Sequence, residues 1–438
     1  MTRWTGGRAL LALAFLTLMA CVFEAAAREA AFREVFTSIL CPETGEVAVR
    51  VTVPERPRYA SGAPVLVEVP PFATPVVGFS EPLPVFLHGA VHVTLLWPGR
   101  HDPASGVESE GIDDYGGPNA LAALRQVIRF AAGEVADVCG SKVDEVTGLP
   151  IATSNVGLYA FSHPGIPMTR VMVSHGQSLG AVSYLVGGEN PTDDVLFSVE
   201  VGHWGSDGRP VYSPFYDFPE DYTGGGLVLD AESAAWEISP DAPAGRPVLV
   251  GSGGARHALG NQVPRFFGKR IYSVALLEKL VAGETLSDAA WPEDLATLSE
   301  ARAWWPDRTA VGHYASLSSA APQLHVMLVF GLRDHVQPAA DKPHIHQAYE
   351  GFRAAGLWVR LNPDRAYLAS LSSLLAVSDH PAGREPEDWR EIESWAVGGG
   401  AQGRAIALLA GTLEMMDRAE ANAWEDDLDR TLYPTRLP

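Results

Sequence analysis

The stretch NVGLYAFSHPGIPMTRVMVSHGQSLGAVSYLVGG, residues 155–188, offers two serines in candidate turns. Ser178 lies in a complete G-x-S-x-G pattern, whereas Ser162 lies in AFSHPG, where alanine and proline replace the two glycines. The apolar run VGLYA before Ser162 is typical of a strand buried on both faces. The run VSHG before Ser178 would instead bury a serine and a histidine, each costing about 1–3 kcal/mol if unpaired. The pattern therefore predicts a strand that ends at Ser162.

The residues after Ser162 predict a helix. Met168, Val171, Met172 and Leu179 recur at helical spacing, and AVSYLVGG then reads as the next strand. A chain with 43 glycines also produces G-x-S-x-G by chance often enough to make that motif weak evidence alone. We expect Ser162 to be the nucleophile of any serine chemistry here, and we keep Ser178 as the alternative.

The wider pattern alternates strands with helices. Residues 45–55, 63–72, 91–99, 155–161, 323–331 and 357–362 are strand-like, and residues 118–135 and 341–356 have helical periodicity. Such alternation predicts an α/β protein with a mostly parallel central sheet flanked by helices. Residues 203–320 break the rhythm, so we expect an inserted cap between a first core part, residues 28–202, and a second, residues 321–438.

This order of elements resembles the α/β-hydrolase superfamily, particularly secreted dienelactone-hydrolase-like and prolyl-oligopeptidase-like members. The resemblance covers about residues 45–382. It implies a serine on a sharp strand-to-helix turn, followed along the chain by an acid and then a histidine. Asp334, in MLVFGLRDHVQP, follows a predicted strand and is the expected acid, with Asp341 as a less suitable choice because it resembles a helix cap.

The resemblance also indicates the base. Only His335, His344, His346 and His380 follow Asp334. His335 adjoins the acid and the next two lie on a predicted helix, whereas His380 lies in a loop beyond the following strand, where the superfamily carries its catalytic histidine. The oxyanion hole should use the backbone N–H of His163 and that of Phe72 or Ala73, because Pro70 and Pro71 have none.

Composition limits the partners. The net charge of −21 argues against nucleic-acid binding and against an anionic membrane surface. The triad needs no organic cofactor and no metal, and the acidic stretch DFPEDYTGGGLVLD lacks the spacing of a calcium loop. The expected partner is a small-molecule or peptide substrate.

The first residues have the pattern of an export signal. Arg3 and Arg8 precede an apolar run over residues 9–20, and three alanines at 25–27 offer a cleavage site. Residues 1–27 therefore predict a signal peptide and a secreted or periplasmic protein. LMAC at residues 18–21 also resembles a lipobox, which would make Cys21 a lipid anchor to the membrane. The spacing of Cys41 and Cys139 leaves open whether these two pair.

We expect, from these observations, an exported serine hydrolase that cleaves an ester through a Ser-His-Asp triad. A peptidase of the prolyl-oligopeptidase type is one alternative, disfavoured because no β-propeller fits before residue 45. A hydrolase fold that serves only for binding is the other. The prolines beside Ser162 and in the oxyanion loop favour that alternative.

Overall fold

An eight-stranded sheet forms the centre of the molecule. The computed structural model describes residues 32–72, 78–192, 200–216, 222–223, 226–227, 229–260, 263–283, 286, 291–331, 334–339, 342–371 and 401–424. The strands of the large sheet are β1 (Phe32–Cys41), β2 (Gly45–Pro54), β3 (Ala63–Glu68), β4 (Val91–Leu95), β5 (Ile151–Phe161), β6 (Val182–Gly188), β7 (His325–Val329) and β8 (Trp358–Leu361).

The strands lie in the order β1-β2-β4-β3-β5-β6-β7-β8. All pairs from β4 to β8 are parallel, and only β1 with β2 and β2 with β4 are antiparallel. Parallel strands need crossover connections, and the chain supplies them mainly as helices. The predicted α/β class with a mostly parallel sheet is confirmed.

Helices cover both faces of the sheet. They are α1 (Pro118–Ala131), α2 (Val143–Thr147), α3 (Gly165–His175), α4 (Val274–Ala282), α5 (Leu298–Trp304), α6 (Leu317–Ala320), α7 (Pro343–Ala354), α8 (Arg365–Ser370) and α9 (Ala401–Ala421). Alternate strand residues point to opposite faces: Val65 and Val67 join the core beneath α1 and α3, whereas Leu66 and Tyr159 join the core beneath α9. Of the described residues, no helix has the length and apolar composition needed to cross a bilayer.

The region between β6 and β7 carries its own small sheets. Strands Ser233–Ser239, Ala242–Val250 and Arg256–Ala258 form an antiparallel sheet, and Gly202–Trp204 pairs with Pro210–Tyr212. Two further short antiparallel pairs are formed by Tyr222–Thr223 with Gly226–Leu227 and by Arg265–Phe266 with Lys269–Arg270. The Trp204 indole N–H donates to the Asp334 carbonyl at 2.7 Å, which ties this region to the loop after β7.

Both described cysteines are free: Cys41 is buried at the end of β1, and Cys139 is exposed. The sequence left open whether Cys41 and Cys139 form a disulfide, and in the structure they are two separate thiols.

Candidate active site

Ser162 lies at the sharp turn between β5 and α3. Its φ of 65° is in the left-handed region, which non-glycine residues rarely adopt, so the surrounding structure must hold the strain. The Ser162 N–H donates to the Gly188 carbonyl at 2.7 Å, and its own carbonyl accepts from Gly165 N–H at 3.0 Å. In a turn of this geometry, the serine Oγ is exposed at the carboxyl end of a parallel strand.

The unusual residues of the turn have a structural explanation. Pro164 directly precedes the first helical residue, Gly165, where its missing N–H removes no helical hydrogen bond. The Asn190 amide lies against Gly165 and donates to the Ser162 carbonyl at 2.5 Å and to the Ala160 carbonyl at 3.2 Å. A side-chain amide therefore supports the turn in a space that only glycine leaves open.

Ser178 lies elsewhere. It ends a short 3-10 turn beyond the C-terminus of α3, is exposed, and donates its hydroxyl to the His175 carbonyl at 2.9 Å. The complete G-x-S-x-G pattern therefore belongs to a helix end, with no strand running into it.

His335 is the histidine that contacts Ser162. Its Nε2 is 2.8 Å from Ser162 Oγ, and its ring lies 4.7 Å from the Phe161 ring, centroid to centroid. The imidazole is partly exposed, at 24% of its side-chain surface, so a substrate can approach it. A general base must lie within hydrogen-bond reach of the hydroxyl proton, and His335 does.

Glu189 holds the other side of the His335 ring. It directly follows β6, and its buried Oε2 is 2.7 Å from His335 Nδ1 and accepts the His335 backbone N–H at 3.0 Å. The guanidinium of Arg404, on α9, is 3.7 Å from the same oxygen. A buried carboxylate on Nδ1 fixes the tautomer in which Nε2 faces the serine.

Asp334, the acid expected from the sequence, has other partners. Its Oδ1 accepts the backbone N–H groups of Val336 and Gln337 at 2.8 Å each, and lies 3.5 Å from His335 Nδ1. Its Oδ2 lies 3.0 Å from His344 Nε2. Burial alone would raise the pKa of Asp334, but the hydrogen bond and charge of His344 outweigh it and hold that pKa below its usual range. Asp334 therefore braces the loop that carries His335.

The geometry differs from the sequence-based assignment at two positions. His335 and Glu189 make the contacts that were expected of His380 and Asp334, and His380 lies outside the described residues. Glu189 did carry a usable signal, because it follows the strand next to the Ser162 strand and precedes His335 along the chain. The order Ser162, Glu189, His335 is the nucleophile-acid-histidine order of the superfamily.

Phe72 and His163, the expected oxyanion donors, lie together but contact one another. The Phe72 N–H donates to His163 Nε2 at 3.1 Å, and the two rings meet edge to face at 4.8 Å. Burial lowers the pKa of His163 to about 3, with smaller contributions from the charges of His335 and Arg100. The His163 ring is therefore neutral near pH 7, as an acceptor must be.

Three groups of the site could also surround a cation. Ligand atoms of Glu189, Asp334 and His335 lie within 4.8 Å of one another. The same His335 Nδ1 and Glu189 Oε2 make the hydrogen bond described above, so a metal bound there would replace that bond.

Comparison with known proteins gives matches in structure only. No protein-family model and no curated protein matches the chain. A Klebsiella pneumoniae protein proposed to be a dienelactone hydrolase is 11% identical, with a TM-score of 0.34 over 83% of this chain and 98% of that one. An esterase of Pyrobaculum calidifontis is 10% identical, with a TM-score of 0.34 over 80% of this chain and 81% of its own. Prolyl oligopeptidase B of Galerina marginata is 10% identical, with a TM-score of 0.38 over 89% of this chain, which spans 37% of the oligopeptidase.

The assignment of the fold follows from the chain itself. A mostly parallel sheet has helices on both faces, and its strand β5 runs into a left-handed serine at the start of a helix. These features give the chain the fold of the α/β-hydrolase superfamily, which its sequence resembles.

Proposed function

We propose that the protein is a serine hydrolase that cleaves esters, with Ser162 as nucleophile, His335 as general base and Glu189 as the acid that orients the base. One observation carries the proposal: the continuous hydrogen-bond path from Ser162 Oγ through His335 to Glu189 Oε2, with distances of 2.8 Å and 2.7 Å. It begins at a serine in the strained turn conformation.

The reaction follows from these contacts. As Ser162 Oγ attacks the ester carbonyl carbon, its proton passes to His335 Nε2 and the carbonyl oxygen becomes an oxyanion. When the tetrahedral intermediate collapses, the bond to the leaving alkoxide breaks and that oxygen takes the proton from Nε2. Water then attacks the acyl-enzyme by the same path, which releases the carboxylic acid and restores Ser162.

The carboxylate of Glu189 acts when His335 carries two protons. The imidazolium then lies 2.7 Å from a buried oxygen, in surroundings of low dielectric where opposite charges attract strongly. The Arg404 guanidinium lies 3.7 Å from the same oxygen and offsets part of the cost of burying the carboxylate.

Glu189→Gln should lower kcat on an activated ester by about 10²- to 10⁴-fold, because glutamine lacks the charge that stabilises the imidazolium. Asp334→Asn is the matched control: it keeps an oxygen for the two backbone N–H groups and should lower kcat by less than about 10-fold. Steady-state kinetics of both variants, with thermal unfolding to check the fold, test the assignment. If D334N loses activity by this amount and E189Q stays close to wild type, the acid that orients His335 is Asp334 and not Glu189.

The purified chain should hydrolyse p-nitrophenyl acetate or butyrate with an initial burst of nitrophenolate, because an acyl-enzyme accumulates. A panel of these esters beside peptide p-nitroanilides, at equal enzyme concentration, measures the preference. Turnover of the anilides without turnover of the esters would favour the peptidase alternative.

Export is a separate part of the proposal and is supported by the basic and apolar pattern of residues 1–27. The mature chain should begin near Arg28, or at a lipid-modified Cys21 anchored to the membrane. N-terminal sequencing and intact mass of the protein from its native host test this. An intact Met1 would contradict it.

A further inference from the structure

The loop that carries Phe72 is held from several sides. Arg100 donates to the Pro71 carbonyl at 3.0 Å and to the Phe72 carbonyl at 2.8 Å, and its Nε lies 2.6 Å from Asp113. The Trp97 indole N–H lies 3.1 Å from the Pro70 carbonyl and 3.0 Å from the Pro71 carbonyl. With these carbonyls fixed, the direction of the Phe72 N–H is fixed as well.

The two prolines make this N–H particularly important. Pro70 and Pro71 have none, so Phe72 carries the first backbone donor after Val69 on this side of the site. In the structure this N–H already makes a hydrogen bond: it donates to His163 Nε2, with 3.1 Å between the two nitrogens. The acceptor belongs to the residue that directly follows Ser162, and the Phe72 N–H is the donor that the superfamily resemblance assigns to an oxyanion formed on Ser162.

We propose that His163 gates the oxyanion hole: its imidazole occupies the Phe72 N–H in the free protein and must leave before a substrate carbonyl can bind there. The inference rests on the proposed function, since it assigns the donor to the reaction of Ser162. Opening exchanges the N–H···Nε2 bond for a bond to the substrate oxygen and breaks no covalent bond.

The moving part is the His163 side chain. The Phe72 loop is braced by Arg100 and Trp97, and the backbone of His163 is tied to the start of α3 through the bond from Ile166 N–H to the His163 carbonyl at 3.1 Å. A rotation of the imidazole about its own side-chain bonds frees the donor without moving either backbone. Such a rotation breaks the N–H···Nε2 bond, and the bond from the Phe72 N–H to the substrate oxygen then replaces it.

The test replaces the acceptor while keeping the residue's backbone N–H. His163→Leu fills similar space without an acceptor, and His163→Gln keeps a carbonyl oxygen that can accept from Phe72. H163L should raise both kcat on p-nitrophenyl acetate and the rate at which a fluorophosphonate labels Ser162, by about 2- to 10-fold, and H163Q should show a smaller gain than H163L because its side-chain oxygen can still accept the Phe72 N–H. H163L no faster than wild type, with an unchanged unfolding temperature, would overturn the gate.

A crystal structure of the wild-type protein with phenylboronic acid keeps the inference testable if H163L does not fold. In a tetrahedral adduct on Ser162, a boronate oxygen should accept the Phe72 N–H, and His163 Nε2 should have left it. An adduct in which His163 Nε2 still accepts the Phe72 N–H would overturn the gate and leave the proposed function intact. Absence of both labelling and adduct formation in the wild type would overturn the proposed function, and the gate with it.

Discussion

Ser162→Ala should lower kcat/KM on p-nitrophenyl acetate by at least about 10⁴-fold and abolish the burst, because no other described hydroxyl contacts His335. Alanine keeps the Cβ that the turn already accommodates, so the unfolding temperature should change little. Steady-state and burst kinetics measure the effect.

Ser178→Ala is the matched control for this change, since it removes the serine of the complete G-x-S-x-G pattern. Its hydroxyl donates only to the His175 carbonyl at an exposed helix end, so activity should stay within about twofold of wild type. The opposite result, an active S162A and an inactive S178A, would contradict the assignment of the nucleophile.

His335→Ala should lower kcat by about 10³- to 10⁴-fold, since the Ser162 hydroxyl then loses the group that takes its proton. KM should change much less, because the imidazole acts on the transition state. The pair of variants H335A and H380A distinguishes the structural assignment from the sequence-based one.

His380→Ala should retain most of the activity, because the proposed triad does not use that residue. If H380A loses activity by 10³-fold or more while H335A stays active, the base is His380, as the sequence analysis expected. Thermal unfolding of both variants separates a loss of chemistry from a loss of fold.

The fold was predictable from the sequence because its signals are local. Val65, Val67, Val156 and Leu158 mark strands buried on both faces, and all four are fully buried in the structure. The position of Ser162 followed from the same local argument, since the apolar run VGLYA continues to the turn and the run before Ser178 does not. A motif match alone would have selected the exposed helix end.

The partners of Ser162 were not predictable in this way. His335 is 173 residues away along the chain, and its contact with Ser162 depends on tertiary packing that no local pattern encodes. In the sequence, His335 was not chosen as the base because it directly follows Asp334, the expected acid. In the structure the backbone N–H and the ring of His335 both point to Glu189, while Asp334 turns to His344 and to the backbone of its own loop.

The contact between Phe72 and His163 illustrates the same limit. Both residues were expected at the oxyanion hole because of their backbone N–H groups. Whether the His163 ring accepts one of those N–H groups depends on the rotamer of a buried side chain, and no spacing in the sequence encodes it. The proposed gate depends on this hydrogen bond.

Reaction of the wild-type protein with a fluorophosphonate probe, followed by mass mapping of the labelled peptide, tests the central claim most directly. The account predicts a single stoichiometric label on Ser162, lost in S162A and strongly slowed in H335A. A label on Ser178, or no label on a folded protein, would contradict it.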